Sequence, residues 1–200
     1  MAAQKLQSFL FADLSGYSSF TEREGDDAAA DVAIRFAAEV ARLAAERGIE
    51  LVKCVGDAVM VRGEDAAAVV RLGLSLQREL GGRRPFPEIH AGVHTGVAVE
   101  RAGDWWGATV NIASRVATAA EAGQLLITEA TKAAAGDLGE TRLRGLGPRS
   151  FRNISRPVAV YDAVSSGPPS EDAAADTSPP RRRPRRAQLK PRLASLPTPG

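Results

Sequence analysis

A small set of polar residues, spread over separate segments of the chain, could together carry out chemistry on a nucleoside triphosphate. The segments are FADLSG at 11–16, KCVGD at 53–57 and DWWGATVNIASR at 104–115. They supply two carboxylates for divalent metal ions, a Lys and an Asp that could read a purine edge, and an Asn and an Arg on one helix face. Two-metal phosphoryl chemistry needs such groups, and the candidates are Asp13, Lys53, Asp57, Asp104, Asn111 and Arg115.

Asp13 and Asp57 are the candidate metal ligands. Asp13 ends a predicted strand and Asp57 lies in the turn between two later strands, so neighbouring strands could bring both carboxylates to a shared pair of Mg²⁺ ions. Each residue also has an ordinary explanation, since Asp13 could cap a helix and Asp57 could simply follow Gly56 in a turn. The metal interpretation therefore depends on the residues that accompany them.

The segment directly after Asp13 could bind phosphate. Ser15, Gly16 and Tyr17 lie at a predicted strand-to-helix junction, where main-chain N–H groups at a helix N-terminus favour phosphate and glycine permits a close turn. The segment is not a Walker loop, because it lacks Gly-Lys-Ser/Thr. By itself it is not specific to any one phosphate ligand.

Lys53 and Asp104 form a pattern that favours adenine over guanine. Adenine offers an acceptor at N1, to which a Lys can donate, and an amino group at N6, from which an Asp can accept. Guanine reverses this pattern and would favour an acidic residue in place of Lys53. A site that pairs polar groups in this way can reject the wrong base strongly. The ordinary alternative is a surface Lys and a turn Asp after Gly103.

Asn111 and Arg115 lie one turn apart on a predicted helix that follows Gly107. The planar, permanently charged guanidinium of an Arg suits a phosphate that gains charge in the transition state, and the Asn could orient a ribose. Both could instead simply face solvent.

The other residues with reactive or aromatic side chains are expected to be structural or to carry no signal: Cys54, His90, His94, Trp105 and Trp106.

The elements that must position these groups follow from the apolar pattern. A helical region is predicted after the phosphate-binding segment, and the order β-α-β-β-α-β of the first elements is the split βαβ, or ferredoxin-like, pattern of an α+β domain with an antiparallel central sheet. This fold hosts many functions and identifies none. Strands are predicted at 8–14, 49–52, 58–61, 89–99, 125–128 and 158–163, and helices at 26–47, 64–80 and 109–120.

Composition bounds the class of protein. Of the 200 residues, 44% are hydrophobic, which is enough for a core, but no run approaches the roughly 20 apolar residues of a membrane span. The N-terminus MAAQKLQ has no signal-peptide core. A single cysteine and two histidines exclude a disulfide scaffold and argue against a structural zinc site. These features predict a cytoplasmic protein without an integral membrane segment.

Charge and proline content divide the chain at residue 164. Residues 1–164 hold 19 basic and 21 acidic residues, a net charge of −2, whereas residues 165–200 hold 7 and 3, a net charge of +4. The second segment is rich in Pro and Arg and has few apolar anchors, so it is predicted to be a disordered basic tail following a folded domain at 1–164.

Taken together, these motifs resemble the catalytic domain of class III adenylate and guanylate cyclases, from about Leu6 to Val164. FADLSGYSSFTE is similar to the family's first metal-binding segment, LVKCVGDAVM to its Lys-x-x-Gly-Asp hairpin and GVHTG to its central strand. DWWGATVNIASRV matches its most specific motif. SFRNISRPVAVYDAV resembles its closing strand, in which Arg152 takes the position of a phosphate-binding Lys found in many relatives.

The resemblance implies a role for each candidate residue. It implies two divalent cations, Mg²⁺ or Mn²⁺, bound by Asp13, Leu14 and Asp57. It implies ATP as substrate, with the base read by Lys53 and Asp104. Phosphate contacts would come from the segment at 15–17, ribose positioning from Asn111, and charge stabilisation from Arg115 and Arg152.

The resemblance further implies a head-to-tail homodimer with two equivalent sites at its interface, because the metal ligands and the Asn/Arg pair come from opposite protomers in such enzymes. Lys53 and Asp57 would then serve different sites. The reaction would be adenylate cyclisation, in which the ribose 3′ oxygen attacks the α-phosphorus and 3′,5′-cyclic AMP and pyrophosphate form. No dedicated general base would be required.

Three alternatives remain open at the level of sequence. The protein could be a guanylate cyclase, which Lys53 and Asp104 disfavour. It could be a catalytically silent nucleotide-binding or dimerisation module, which the complete set of residues disfavours. The Arg-Pro tail could bind nucleic acid or an anionic membrane surface, against the simpler explanation of a solubilising linker.

Overall fold

The structure, a computed structural model, describes residues 5–166. The tail predicted at 165–200 lies outside the described residues, apart from Ser165 and Ser166. The elements in chain order are β1 (Gln7–Leu14), α1 (Tyr17–Glu24), α2 (Asp26–Ala45), β2 (Glu50–Val55), β3 (Ala58–Gly63), α3 (Ala66–Glu79), β4 (Ile89–Gly96), β5 (Val99–Arg101), β6 (Asp104–Trp106), α4 (Ala108–Thr118), β7 (Leu125–Thr128), α5 (Glu129–Ala135), β8 (Thr141–Arg149) and β9 (Val158–Ser165).

The main sheet has seven strands in the order β2-β3-β1-β4-β7-β9-β8. The pairs are antiparallel except β4 with β7, which run parallel. Its first four strands, β2-β3-β1-β4, with α2 and α3 as the crossing helices, form the ferredoxin-like unit predicted from the sequence. The predicted α+β class with a mostly antiparallel central sheet is confirmed.

Helices cover the central strands on both sides. Leu10 of β1 packs in a large cluster with Phe36 of α2 and Leu76 of α3, whereas the adjacent Phe9 packs with Trp105 and other residues around α4. Successive strand residues point to opposite faces, so α2 and α3 lie on one side of the sheet and α4 on the other. Because β1 is buried on both faces, its sequence reads as a continuous apolar run.

Several elements of the fold were not predicted from the sequence. The predicted strand at 89–99 ends at Gly96, and Val99–Arg101 pairs with Asp104–Trp106 as a separate hairpin. Strand β8 lies at the sheet edge with mostly half-buried or exposed side chains, so it carries no apolar signal. Helix α5 has seven residues, too few for a helical period to appear.

Among residues 5–166, no helix is long and apolar enough to cross a membrane.

Helix α4 crosses β4 at Gly92 with almost no space between the two backbones. A Cβ atom at this position would lie 2.2 Å from the main-chain nitrogen of Ala117. The backbone of a packed helix cannot move aside as a flexible side chain would. Gly92 therefore sets the position of α4, the helix that carries Asn111 and Arg115.

We expect Gly92→Ala to lower the free energy of unfolding by about 2 kcal/mol or more, because the new methyl group would push α4 away from the sheet. Urea denaturation followed by circular dichroism measures the change. Gly145→Ala is the matched control, because its Cβ atom would meet nothing closer than Cε1 of Tyr161 at 3.7 Å. Equal stability of the two variants would contradict the close approach of α4.

Candidate active site

Asp13 and Asp57 lie side by side, as the sequence analysis expected. Asp13 is near the end of β1, and Asp57 follows Gly56 in the turn between β2 and β3. Since β1 pairs with β3, the end of β1 and the turn before β3 lie at the same end of these neighbouring strands. Burial raises the pKa of Asp57 to about 7, assisted by the hydrogen bond that the protonated Asp57 donates to the Asp13 carboxylate and by the negative charge of Asp13. Two carboxyl groups this close cannot both ionise freely in the absence of a cation.

The donor set of this carboxylate pair fits Mg²⁺ or Mn²⁺. Both ions prefer oxygen ligands, and Mg²⁺ in particular is commonly held by one or two carboxylates together with substrate phosphates. Leu14 could add only its main-chain oxygen, because its side chain is apolar and buried. Within residues 5–166 there is no group of three or more His, Cys, Asp and Glu side chains that could hold a metal ion. The remaining ligands would have to come from substrate or water.

The segment at 15–17, expected to contact phosphate, forms a turn that leads into α1. Gly16 precedes α1 in the left-handed conformation, with φ of 74°, which favours glycine. The N-cap residue, Gly16, makes no side-chain hydrogen bond to the first N–H groups of α1, which therefore remain uncapped. Burial raises the pKa of Tyr17, and the charge of Asp57 raises it further. The segment therefore lies beside the carboxylate pair.

His90 is a neighbour of this site that sequence reasoning missed. Its Nδ1 atom lies 3.2 Å from Oγ of Ser15, and its Nε2 atom lies 3.7 Å from Oδ2 of Asp13. The two elements meet because β1 pairs with β4 in a register that sets Asp13 opposite His90. His90 thus links the end of β1 that carries Asp13 to the segment at 15–17.

Lys53 and Asp104 form an ion pair. Lys53 Nζ donates to Asp104 Oδ2 at 2.6 Å, and the main-chain N–H of Trp105 donates to Asp104 Oδ1 at 2.8 Å. The hydrogen bond from Lys53 lowers the pKa of Asp104, and the Trp105 N–H lowers it further. The side chains are 40% and 26% exposed, so a ligand can reach both. Strands β2 and β6 thus bring together the two residues expected to read the base.

The hairpin that carries Asp104 is anchored by Trp105. This buried ring packs against Phe9 with a centroid distance of 5.6 Å, and the Arg62 guanidinium lies 4.8 Å above it. The neighbouring Trp106 points the other way and is 58% exposed. One tryptophan therefore fixes the hairpin in the core, and the second remains on the surface beside Asp104.

Asn111 and Arg115 both lie on the exposed face of α4, whose opposite face packs into the core. Arg152 lies in an exposed segment between β8 and β9, not in a strand. Within the described part of the chain, these three side chains make no hydrogen bond or ion pair. The structure brings Asp13 next to Asp57 and, separately, Lys53 next to Asp104. Within one chain it joins neither pair to Asn111, Arg115 or Arg152.

The structural roles expected for other polar residues agree with the fold. His94 is buried, its Nδ1 atom lies 2.8 Å from Oγ1 of Thr128, and burial lowers its pKa to about 4. It is therefore a neutral core histidine, as predicted. Cys54 is exposed on β2.

The sequence model of the adenylate and guanylate cyclase catalytic domain matches residues 3–148. The chain belongs to this family. Every candidate residue except Arg152 falls within the matched range. Asp13, Asp57, Lys53 and Asp104 are thus all part of the cyclase catalytic domain.

Named cyclases are similar to this chain. The pH-sensitive adenylate cyclase of Mycobacterium tuberculosis is 35% identical over 76% of this chain and 38% of its own length. An adenylate cyclase of Glutamicibacter nicotianae is 38% identical over 58% of this chain and 29% of its own length. The chain thus spans well under half of these curated relatives. The crystal structure of the adenylyl cyclase CyaB from P. aeruginosa aligns with a TM-score of 0.70 and 28% identity, over 84% of this chain and 98% of that one.

Proposed function

We propose that this cyclase domain is an adenylate cyclase, a phosphorus–oxygen lyase that converts ATP to 3′,5′-cyclic AMP and pyrophosphate. The observation that carries the choice of substrate is the contact between Lys53 Nζ and Asp104 Oδ2 at 2.6 Å. This contact places a donor beside an acceptor, in the arrangement that matches N1 and N6 of adenine. Because ATP is the proposed substrate, we place the reaction in the cytoplasm.

Asp13 and Asp57 would hold the divalent cations, with the main-chain oxygen of Leu14 as a further ligand. Bound there, the cations would lower the pKa of the ribose 3′ hydroxyl and neutralise charge on the triphosphate. The support for this assignment is the proximity of two carboxylates that together hold a proton near neutral pH. Replacing that proton with a cation would remove their mutual repulsion.

The chain's own groups would bind and orient the remaining parts of ATP. The uncapped N–H groups at the start of α1 would contact the phosphates. Asn111 would position the ribose, so that the ribose 3′ oxygen loses its proton to water and forms a bond to the α-phosphorus as the bond to pyrophosphate breaks. Arg115, with Arg152, would stabilise the charge that develops on the phosphate oxygens.

The site would be completed by a second copy of the chain in a head-to-tail homodimer. The Asn111 and Arg115 side chains lie on an exposed helix face without partners in the described residues. Exposed apolar side chains also lie on or next to the strands that carry Lys53 and Asp104, which is typical of an interface rather than of a free surface. They are Val55, Val97, Val99 and Trp106.

We expect the exchange Lys53→Glu with Asp104→Lys to reduce turnover of ATP by about 100-fold and to raise the GTP-to-ATP turnover ratio, because the exchanged pair matches guanine. The exchange keeps an ion pair at this position, so the melting temperature checks that the fold is intact. Cyclic nucleotide is detected by mass with ATP and GTP supplied separately in Mg²⁺ and Mn²⁺. An unchanged preference for ATP would contradict the base-reading assignment.

The same assay on the unmodified protein tests the activity itself. Cyclic AMP from ATP, with GTP largely refused, is the expected result. No product from either nucleotide, over protein concentrations that cover dimer dissociation, would indicate a silent nucleotide-binding module instead.

A further inference from the structure

A surface cavity of about 800 Å³ lies between α3 and the segment that leads into β8. Its lining includes none of the candidate active-site residues. Cavities of 300–1,000 Å³ are of the size that holds small molecules. The polar side chains that line it are Arg47, Arg71, Ser75, Arg78, Asp137 and Glu140.

Three arginines form one wall of this cavity, which we term the arginine wall (Arg47, Arg71 and Arg78). Arg71 and Arg78 are seven residues apart on α3, so both project from the same side of the helix. Arg47 joins them from the end of α2. A guanidinium presents its donors in a rigid planar fork that matches phosphate oxygens. The wall therefore has the chemistry of a phosphate-binding surface.

Arg47 is held in place before any ligand arrives. It donates from Nη1 to the main-chain oxygen of Leu43 at 2.7 Å and from Nη2 to Oγ of Ser75 at 3.1 Å. Its side chain is only 26% exposed, half as much as that of Arg71. A fixed guanidinium loses little conformational freedom on binding, so it favours a defined site over a diffuse basic surface.

Arg71 and Arg78 keep most of their donors available. Each guanidinium carries five N–H groups. In the described part of the chain, Arg71 has one ion pair, with Asp65 at 3.8 Å, and Arg78 has one, with Glu79 at 2.9 Å. A bound phosphate could contact both arginines without breaking either pair.

The opposite side of the cavity is acidic, and we term it the acidic rim (Asp137 and Glu140). Asp137 is tied down by the N–H of Gly139, which donates to its Oδ1 at 2.8 Å. A bare anion is attracted by the arginine wall and repelled by this rim. A molecule with phosphate at one end and hydroxyl or amino groups at the other satisfies both sides.

We propose that this cavity binds a small phosphorylated molecule, with its phosphate against the arginine wall and its hydroxyl or amino groups facing the acidic rim. The site is separate from the ATP site proposed above. It is a second ligand site on the cyclase domain.

Amide chemical shifts of Ser75 and Gly139 in the ¹⁵N-labelled protein test this proposal. The protein is titrated with inorganic phosphate and, separately, with glycerol 3-phosphate, with ionic strength held constant by sodium chloride. We expect saturable shifts with both ligands and tighter binding of the ester. The double variant Arg71→Gln, Arg78→Gln should bind each of the two ligands about tenfold more weakly or worse. These arginines are exposed, and melting temperatures check that the variant folds.

Two further variants separate the parts of the proposal. Glu140→Gln should raise the affinity for inorganic phosphate and reduce the difference in affinity between glycerol 3-phosphate and inorganic phosphate. Arg35→Gln is the control: Arg35 lies on α2 outside the lining of the cavity, and its replacement should change neither affinity. Absence of saturable shifts at Ser75 and Gly139, or shifts that survive the double arginine substitution, would overturn the site. Equal affinity for phosphate and ester would overturn the role of the acidic rim. None of these readouts depends on cyclase turnover.

Discussion

Asp57→Asn is expected to reduce formation of cyclic AMP by about 10³-fold or more while leaving the fold intact. The amide keeps the shape of the side chain but removes one of the two carboxylates proposed to hold the cations. Losing one preorganised electrostatic contact to a developing charge typically costs 10²–10³ in rate, and loss of a cation costs at least as much. Turnover of ATP in Mg²⁺ and in Mn²⁺ measures the effect.

The same substitution should raise the stability of the metal-free protein. The pKa of Asp57 is about 7 in the folded chain against an ordinary value of 3.8, so between these values the folded state binds a proton that the unfolded state releases. Wild-type stability therefore falls as the pH rises from 3.8 towards 7. An Asn at this position does not titrate, so the stability of Asp57→Asn does not fall for this reason. In chelator, its melting temperature should exceed that of the wild type at pH 8, and the difference should shrink towards pH 4.

Added Mn²⁺ should make the melting temperature of the wild type higher than that of Asp57→Asn, because only the wild type has both carboxylates to bind the ion. Asp26→Asn is the matched control, since Asp26 also acts on Tyr17 from the start of α2 but is not a proposed ligand. It should keep nearly full activity and the wild-type response to Mn²⁺. Normal turnover by Asp57→Asn would contradict the assignment of Asp57 as a metal ligand.

The central part of the fold could be predicted because its signals are local. Strand β1 contains the apolar run at 9–12, and β4 has buried apolar residues at alternate positions, Ile89, Ala91 and Val93. Helices α2 and α3 have clear helical periods, and Gly56-Asp57 marks the turn of a hairpin. The pairing of Asp13 with Asp57 follows once the β-α-β-β-α-β order is recognised, since that order places β3 beside β1. Family motifs then indicated Lys53 and Asp104 as partners, which the structure shows in contact.

The parts that were missed depend on long-range pairing. His90 reaches Asp13 only through the register of β1 against β4, and it lies 75 residues from Ser15 in the sequence. No short turn joins these two strands, so turn geometry does not fix their register as it does in a hairpin. Strand β8 exists because β9 offers it hydrogen bonds, not because its own side chains are apolar. The role proposed for the exposed Arg115 would depend on a second copy of the chain, so no pattern within one protomer reveals it.

The proposed head-to-tail dimer assigns Asp13 and Asp57 to one side of each site and Lys53, Asp104, Asn111 and Arg115 to the other. Asp57→Asn and Arg115→Gln should each be nearly inactive alone, because every site in either homodimer carries the defect. In a mixed dimer both defects fall in the same site, and the second site is wild type.

Mixing equal amounts of Asp57→Asn and Arg115→Gln protein is therefore expected to restore about a quarter of wild-type activity, since half of the dimers are mixed and each has one intact site. Lys53→Gln mixed with Arg115→Gln is the matched control. These two residues lie on the same side of a site, so each site of a mixed dimer keeps one defect and activity should stay low. Lys53 is only four residues from Asp57 in the sequence, so the two mixtures differ only in which of two nearby residues is replaced. Restoration in both mixtures, or in neither under conditions where sedimentation shows dimers, would contradict the head-to-tail arrangement.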